Sequence, residues 1–249
     1  MKKNKIIFLA LDTSNIGQVK KIVKQIKNSS YQIIPKFGLQ FFYSKNGRKY
    51  LDKFKGNYFL DLKIMDVSNT AINAIESIRD LKGCRYTTVH AHGGYKMMRA
   101  VVKKARLTKK LVLGVTVLTS LDNNSIKEIG HTKSVDQIVI KQAGLIKKAG
   151  CHGIVASAHE AKIIKKKYKN LFVVTPGIRL PGDNKDDQSR VVTPHDALYK
   201  YKADAIVIGR SLTRSNLKEN LKRLFDHLNK WLRVSKSVGS GILKLLVLF

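Results

Sequence analysis

The sequence predicts a single-domain α/β fold, specifically an eight-stranded (β/α)₈ TIM barrel. Three observations predict it. Short β-branched or aromatic runs alternate with longer helical patterns eight times over about 230 residues. The strand runs read as continuously apolar, as parallel strands covered on both faces do. The first strand is followed by Leu9-Ala10-Leu11-Asp12-Thr13-Ser14-Asn15, with none of the glycine spacing that opens a doubly wound open sheet. The closed barrel is therefore preferred to the open alternative.

The predicted strands are, in order, Ile6–Leu11, Gln32–Phe37, Tyr58–Lys63, Tyr86–His90, Leu111–Val117, Gly153–Ala156, Phe172–Thr175 and Ala205–Ile208. Helical patterns between and after them cover Ile16–Lys27, Asn69–Lys82, Tyr95–Ala105, Val135–Ala149, His159–Lys167, Pro194–Lys200 and Asn216–Trp231. In Val135–Ala149 the apolar positions Val135, Ile138, Val139, Leu145, Ile146 and Ala149 fall on one helical stripe. The connections after the fifth and seventh strands are the longest. The second of these, Pro176 to Val192, is rich in Gly, Asp, Asn and Arg, which suits a lid over a polar ligand. The barrel domain is expected over 1–232. Residues 233–249, Ser/Gly-rich and then apolar, are expected to form a tail outside the fold.

A chain of 249 residues can bury one sizeable core. Its net charge of +31 is far from ordinary and would attract phosphorylated molecules, RNA or anionic lipid. However, 37 of its 48 basic residues are Lys and only 11 are Arg, and they are spread over most of the helical segments. Nucleic-acid readers concentrate Arg and aromatic residues on one face, so solvated lysine-rich helices are the preferred reading and no specific nucleic-acid partner is expected. Cys84 and Cys151 form no CxxC pair, and neither a disulfide framework nor a zinc site is expected. The apolar run Ile6–Leu11 ends at Asp12 and reads as a strand, not a signal peptide; Ile242–Phe249 is too short to span a bilayer. A cytoplasmic enzyme without a membrane partner is expected.

Functional groups of a barrel collect at the C-terminal strand ends. There the sequence places Asp12, Lys36, Asp61 with Lys63, His90, Thr119 and Ser120, and Arg210. Asp61 and Lys63 are two apart on a strand and share a face, with Asp66 just beyond it. A Lys held among carboxylates stays charged and serves as a fixed proton donor, not as a Schiff-base nucleophile. An intrastrand ion pair with an Asp helix cap is the plain structural alternative. Late in the chain, Gly209-Arg210-Ser211 ends the eighth strand before a helix, and Thr175-Pro176-Gly177-Ile178-Arg179 follows the seventh. Together they supply close backbone approach and two guanidinium forks, the chemistry of a phosphate site.

The segments Phe59-Leu60-Asp61-Leu62-Lys63-Ile64-Met65-Asp66, Val89-His90-Ala91-His92-Gly93-Gly94, Leu118-Thr119-Ser120, Val174 to Arg179, Asp187-Gln188-Ser189-Arg190 and Val207 to Ser211 resemble the orotidine 5′-phosphate decarboxylase family. The resemblance runs in order from about Ile6 to Trp231. It implies a barrel homodimer that converts orotidine 5′-monophosphate to uridine 5′-monophosphate and carbon dioxide in pyrimidine biosynthesis, with no cofactor and no metal. It implies that Lys63 protonates C6 of the pyrimidine, that Asp61 sits beside the departing carboxylate, and that Lys36 completes an alternating charge chain. Asp66 and Thr70 would reach into the neighbouring subunit's site. Asp12 would bind ribose, and Thr119 and Ser120 would face the pyrimidine. Pro176, Arg179, Gln188, Gly209 and Arg210 would form the phosphate end. Two departures stand out: Met65 replaces the family's usual His before the second Asp, and Val67-Ser68 replaces Ile-Pro after it.

Two rivals remain. A metal-dependent barrel enzyme acting on sugar phosphates shares Asp-x-Lys-x-x-Asp, but would use a carboxylate on the second strand to help bind magnesium, where this chain has the cation Lys36. A basic RNA-binding protein would require a contiguous Arg/aromatic surface.

Overall fold

The computed structural model describes residues 5–27, 29–184 and 191–230. The 233–249 tail and Gln188 therefore lie outside the described residues. Eight parallel strands close into a barrel in sequence order. They are β1 (Ile6–Ala10), β2 (Gln32–Phe37), β3 (Tyr58–Ile64), β4 (Cys84–His90), β5 (Leu111–Val115), β6 (Gly153–Val155), β7 (Phe172–Thr175) and β8 (Ala205–Ile208). Outside them run α1 (Ile16–Ile26), α2 (Leu39–Phe42), α3 (Gly47–Asp52), α4 (Ser68–Glu76), α5 (Gly94–Leu107), α6 (Asn123–Glu128), α7 (Val135–Ala149), α8 (Ala158–Lys167) and α9 (Arg210–Thr213). A tenth helix, α10, occupies 217–230. The eight expected strands agree with the fold to within two residues at each end.

The strands bury both faces. Phe8, Ile34, Phe59, Tyr86, Leu113, Val174 and Ala205 meet inside the barrel, with Phe8, Phe59 and Tyr86 packed edge to face at centroid distances of 4.9 to 6.2 Å. Alternate residues such as Ile7, Leu9, Leu60 and Val89 face outward into the layer shared with the helices. This is why the strands read as unbroken apolar runs. Capping boxes at Ser134/Gln137 and Ser157/Glu160 set the starts of α7 and α8 by satisfying backbone N–H groups that have no helical partner.

The structure differs from the sequence expectation in four places. The helix expected to Lys82 ends at Glu76, and Ser77 Oγ bonds back to the Ala74 carbonyl at 2.9 Å, competing with the helical ladder. The strand expected to Val117 pairs only to Val115. The segment Pro194–Lys200 is a π turn over Asp196–Lys200. The β2–β3 and β5–α7 connections contain α2, α3 and α6, each too short to show a period.

One irregularity shapes the site. Leu60 pairs with Thr87 and Ile64 with Val89, so β3 advances four residues while β4 advances two. The extra residues form a bulge. Lys63 sits in it with φ 49, in the left-handed region that a side-chain-bearing residue enters only at a cost.

Candidate active site

The period-two alternation that puts Ile34, Phe59, Tyr86 and Leu113 inside the barrel carries the next inward positions, Lys36, Asp61, Thr88 and Val115, up to its C-terminal mouth. There a cavity of about 360 Å³ opens, lined by Asp12, Lys36, Asp61, Lys63, Thr119, Ser120, Pro176, Arg179, Gly209 and Arg210 among others. Phe59, Val115, Val117, Val155, Ala156 and Val207 give it apolar walls and floor. Of the expected site residues, ten meet there; Asp66 and Thr70 lie elsewhere, and Gln188 lies outside the described residues.

Asp61 is the hub. Its Oδ2 accepts from Lys63 Nζ at 2.9 Å and from Lys36 Nζ at 3.4 Å, and Lys36 Nζ also lies 3.8 Å from Asp12 Oδ1. The sequence placed Asp61 and Lys63 on one face because they are two apart on a strand. The side chains do meet, but through the bulge, with Lys63 turned out of regular strand geometry. Burial pushes the Asp61 carboxyl upward, yet the charges of Lys36 and Lys63 and hydrogen bonds from Lys63 and Thr88 outweigh it. The group is held below the usual carboxylate range, ionised at neutral pH.

Thr88 was not anticipated. Fully buried on β4, its hydroxyl donates to Asp61 Oδ1 at 2.9 Å and accepts the Lys63 backbone N–H at 2.8 Å. One hydroxyl thus fixes both the carboxylate and the strained backbone that carries the ammonium. The signal for it was the alternation Tyr86, Thr88, His90 on an inward face. Nearby, Gly38 leaves room for the acid–base cluster: a Cβ there would lie 3.2 Å from Asp12 Oδ1 and 3.8 Å from Lys36 Nζ.

His90, at the end of β4, begins a chain of imidazoles. His92 Nδ1 lies 3.1 Å from His90 Nδ1, and His92 Nε2 lies 3.3 Å from His131 Nε2. Burial, then the charges of His92 and Lys63, push the His90 imidazole down to about 4, so it is neutral at pH 7.

At the opposite end, Gly177 takes φ 74 and turns the chain after β7. This carries Arg179 back over the mouth, where it is mostly buried, with Nε donating to the Asn184 carbonyl at 3.2 Å. Arg210 opens α9 on the adjacent strand end. Two guanidiniums and the Gly209 backbone therefore converge at one end of the cavity, with Lys36, Asp61 and Lys63 at the other. The arrangement can hold a phosphate remote from a reacting centre.

Asp66 and Thr70 do not line this cavity. They border a separate groove of about 530 Å³ on the outer side of Lys63, beside Leu39, Tyr43 and Met65. Asp66 Oδ1 accepts the Val67 N–H at 2.7 Å. Tyr43, Met65 and Val67 are 75, 58 and 70% exposed, an apolar patch around an acidic group. Among the described residues no helix is long and apolar enough to cross a membrane. Cys84 and Cys151 are buried free thiols, both pushed up to about 12 by burial.

Residues 5–224 match the family model described as "Orotidine 5'-phosphate decarboxylase / HUMPS family". A relative from Wolbachia sp. subsp. Brugia malayi (strain TRS), named orotidine 5′-phosphate decarboxylase, is 38% identical over 221 residues, covering 88% of this chain and 96% of its own. A relative of the same name from Coxiella burnetii (strain RSA 331 / Henzerling II) is 42% identical over 162 residues, covering 63% of this chain and 68% of its own. The crystal structure of orotidine 5′-phosphate decarboxylase from Lactobacillus acidophilus superposes with a TM-score of 0.74 at 28% identity, covering 90% of this chain and 99% of that one.

Proposed function

This chain belongs to the orotidine 5′-phosphate decarboxylase / HUMPS family, and from that premise we propose that it converts orotidine 5′-monophosphate to uridine 5′-monophosphate and carbon dioxide without a cofactor. The observation that carries the choice is the chain Lys36–Asp61–Lys63 at the mouth, with contacts of 3.4 and 2.9 Å. A cation stands on β2, where a magnesium-dependent sugar-phosphate enzyme of the same barrel type would need a carboxylate.

In this reading the phosphate lies between Arg179, Arg210 and the Gly209 backbone, with Pro176 beside it and Gln188 completing its shell. Asp12 takes a ribose hydroxyl, and Thr119 and Ser120 face the pyrimidine. The substrate carboxylate then lies against Asp61. The C6–carboxylate bond breaks with its electron pair left on C6, carbon dioxide departs, and the Lys63 ammonium delivers a proton to C6. The neutral amine regains its proton from solvent, so each turnover consumes one proton. The ring stabilises the developing carbanion poorly, and a positioned ammonium where the charge appears lowers the barrier without reorganisation. Phosphate contacts far from C6 supply the energy to hold the ring against Asp61.

The apolar patch around Asp66 and Thr70 supports a homodimer in which these two residues complete the partner's site. The buried free thiols Cys84 and Cys151 suit the cytoplasm.

The test follows the absorbance of orotidine 5′-monophosphate on wild type and Lys63→Ala, with and without a chelator. Turnover in wild type that survives the chelator, and a loss of more than about a thousandfold in the variant, are expected. Full activity in Lys63→Ala, an inactive wild type, or a magnesium requirement would overturn the reading.

A further inference from the structure

At the N-terminal end of the barrel, opposite the active-site mouth, lies a groove of about 620 Å³ that the decarboxylation does not use. Lys5, just before β1, and Asp204, just before β8, mark that end, and α8 supplies one wall. Six lysines line the groove against one carboxylate, Asp204. Two of the six are committed: Lys165 pairs with Asp204 and donates to the Leu171 carbonyl at 2.8 Å, and Lys5 Nζ donates to the Ala203 carbonyl at 2.6 Å. The other four, Lys162, Lys166, Lys169 and Lys202, are exposed, and their ammonium groups have no hydrogen bond, ion pair or ring contact among the described residues. With Asp204 already neutralised, their charge stands uncompensated.

The charges are ordered as well as free. Lys162 and Lys166 stand one turn apart on α8, and Lys169 follows just after its end, a stripe roughly 10 Å long. Beside the stripe the groove is apolar. Leu198 and Tyr199 on the π turn line it, and Tyr199 is 38% exposed. The lysine stems add methylene surface to the same walls. The turn that carries Tyr199 and Lys202 is fixed by the Tyr201 N–H on the Asp196 carbonyl at 2.8 Å and the Ala203 N–H on the Ala197 carbonyl at 2.9 Å.

We propose that this groove docks an acidic amphipathic helix of another protein. Carboxylates a turn apart on that helix meet Lys162, Lys166 and Lys169, and an apolar residue on the same face enters over Tyr199 and Leu198. The chemistry of the groove favours this occupant over other anions. Among the described residues that line it there is no Arg to fork onto phosphates, and Tyr199 is the one ring on which a base could stack, which disfavours nucleic acid. A concave site with an apolar floor suits one inserted side chain better than a flat lipid surface or a free phosphate. A partner held at this end leaves the active-site mouth open, so the docked enzyme keeps turning over.

The probe is a fluorescein-labelled helical peptide of about 15 residues, with a Glu stripe at four- and three-residue spacing and one Leu on the same face. Its anisotropy is followed with the full chain at about 0.15 M salt, where the field of the +31 chain is screened beyond about 8 Å. Wild type is compared with Lys162→Glu/Lys166→Glu, with the neutral pair Lys162→Gln/Lys166→Gln, and with Lys20→Glu/Lys24→Glu on α1, which makes the same charge change away from the groove. Wild type should bind with a Kd of about 10 μM. The groove Glu pair should weaken binding at least about tenfold, the Gln pair by less, and the α1 pair by no more than about threefold. A peptide with Ser in place of Leu should bind about threefold more weakly than the Leu peptide. All variants should keep the wild-type melting temperature and turnover to within about twofold, since these lysines are exposed and remote from the mouth. No binding to wild type, an α1 pair as damaging as the groove pair, or a Ser peptide as tight as the Leu peptide overturns the proposal. So does tighter binding of an oligouridylate of the same length, or of phosphatidylserine vesicles, that the groove pair abolishes; the surface then belongs to RNA or to lipid.

Discussion

Replacing Thr88 by Val keeps the shape of the β4 wall and deletes one oxygen. That oxygen donates to Asp61 at 2.9 Å and accepts the Lys63 N–H at 2.8 Å. A hydrogen bond to a charged group contributes about 1.5–3 kcal/mol, and an N–H left unmet in an apolar wall costs about 1–3 kcal/mol. Lys63 is 36% exposed, so water can reach its neighbourhood, and the low ends apply: about 2–3 kcal/mol of stability is lost. For catalysis the loss is positional, since Asp61 keeps its charge and Lys63 its ammonium. If about 1.4–2.8 kcal/mol of the positioning goes, kcat falls about ten- to a hundredfold, with KM changing much less. Asp61 also loses one of the bonds holding its pKa down, so the acid limb of kcat moves to higher pH. Thr88→Ser restores the oxygen and should restore rate, pH profile and urea midpoint together. Steady-state kinetics from pH 4 to 9 and urea melts test this. Wild-type kcat in Thr88→Val, or a Ser variant as slow as Val, would refute the account.

With the proposed phosphate assignment, Arg210→Ala should raise KM at least about tenfold and slow turnover by less, because charge-assisted contacts remote from the reacting carbon are lost; unchanged kinetics would take Arg210 out of the site. His90 titrates near 4 in the fold against an ordinary 6.5, so its neutral form is favoured on folding. Its contribution is fully present at and above pH 6.5 and is lost as pH falls from 6.5 to about 4. After discounting for solvent screening this is on the order of 1 kcal/mol, and His90→Asn should flatten the urea stability profile across that window. If the proposed homodimer forms through the patch around Asp66, Val67→Asp should yield monomers by sedimentation and abolish turnover, and an unchanged sedimentation coefficient would refute it. Mixing inactive Lys63→Ala with inactive Asp66→Ala should recover activity, since hybrid dimers contain one site with both residues. No recovery on mixing would place Asp66 outside its partner's site.

The barrel was legible because its strands are buried on both faces and leave runs of Ile, Val, Leu and Phe that no other element requires. The lining of the candidate site was legible where a charged residue stands at a strand end, as with Lys36, Asp61 and Arg210, which all border one cavity. What escaped had at most a faint local mark, such as the place of Thr88 on an inward strand face. The β3 bulge is enforced by pairing with β4, across 25 residues of chain between Lys63 and Thr88, and carries no Gly or Pro of its own. Thr88 looks like ordinary strand filling until its partners are known. α2 and α3 span four and six residues, too few for a helical stripe to show. The early end of α4 depends on one serine bonding its own backbone.

The left-handed backbone at Lys63 sets two demands of selection against each other. A glycine would rest there without penalty, whereas a side chain costs about 1 kcal/mol or more. Yet Lys63→Gly would also strip the mostly buried Asp61 of its 2.9 Å ion pair, and breaking such a pair costs more than the strain it relieves. A heat-selected library should therefore keep Lys63 even when activity is not screened, because the carboxylate beside it holds the strained residue in place.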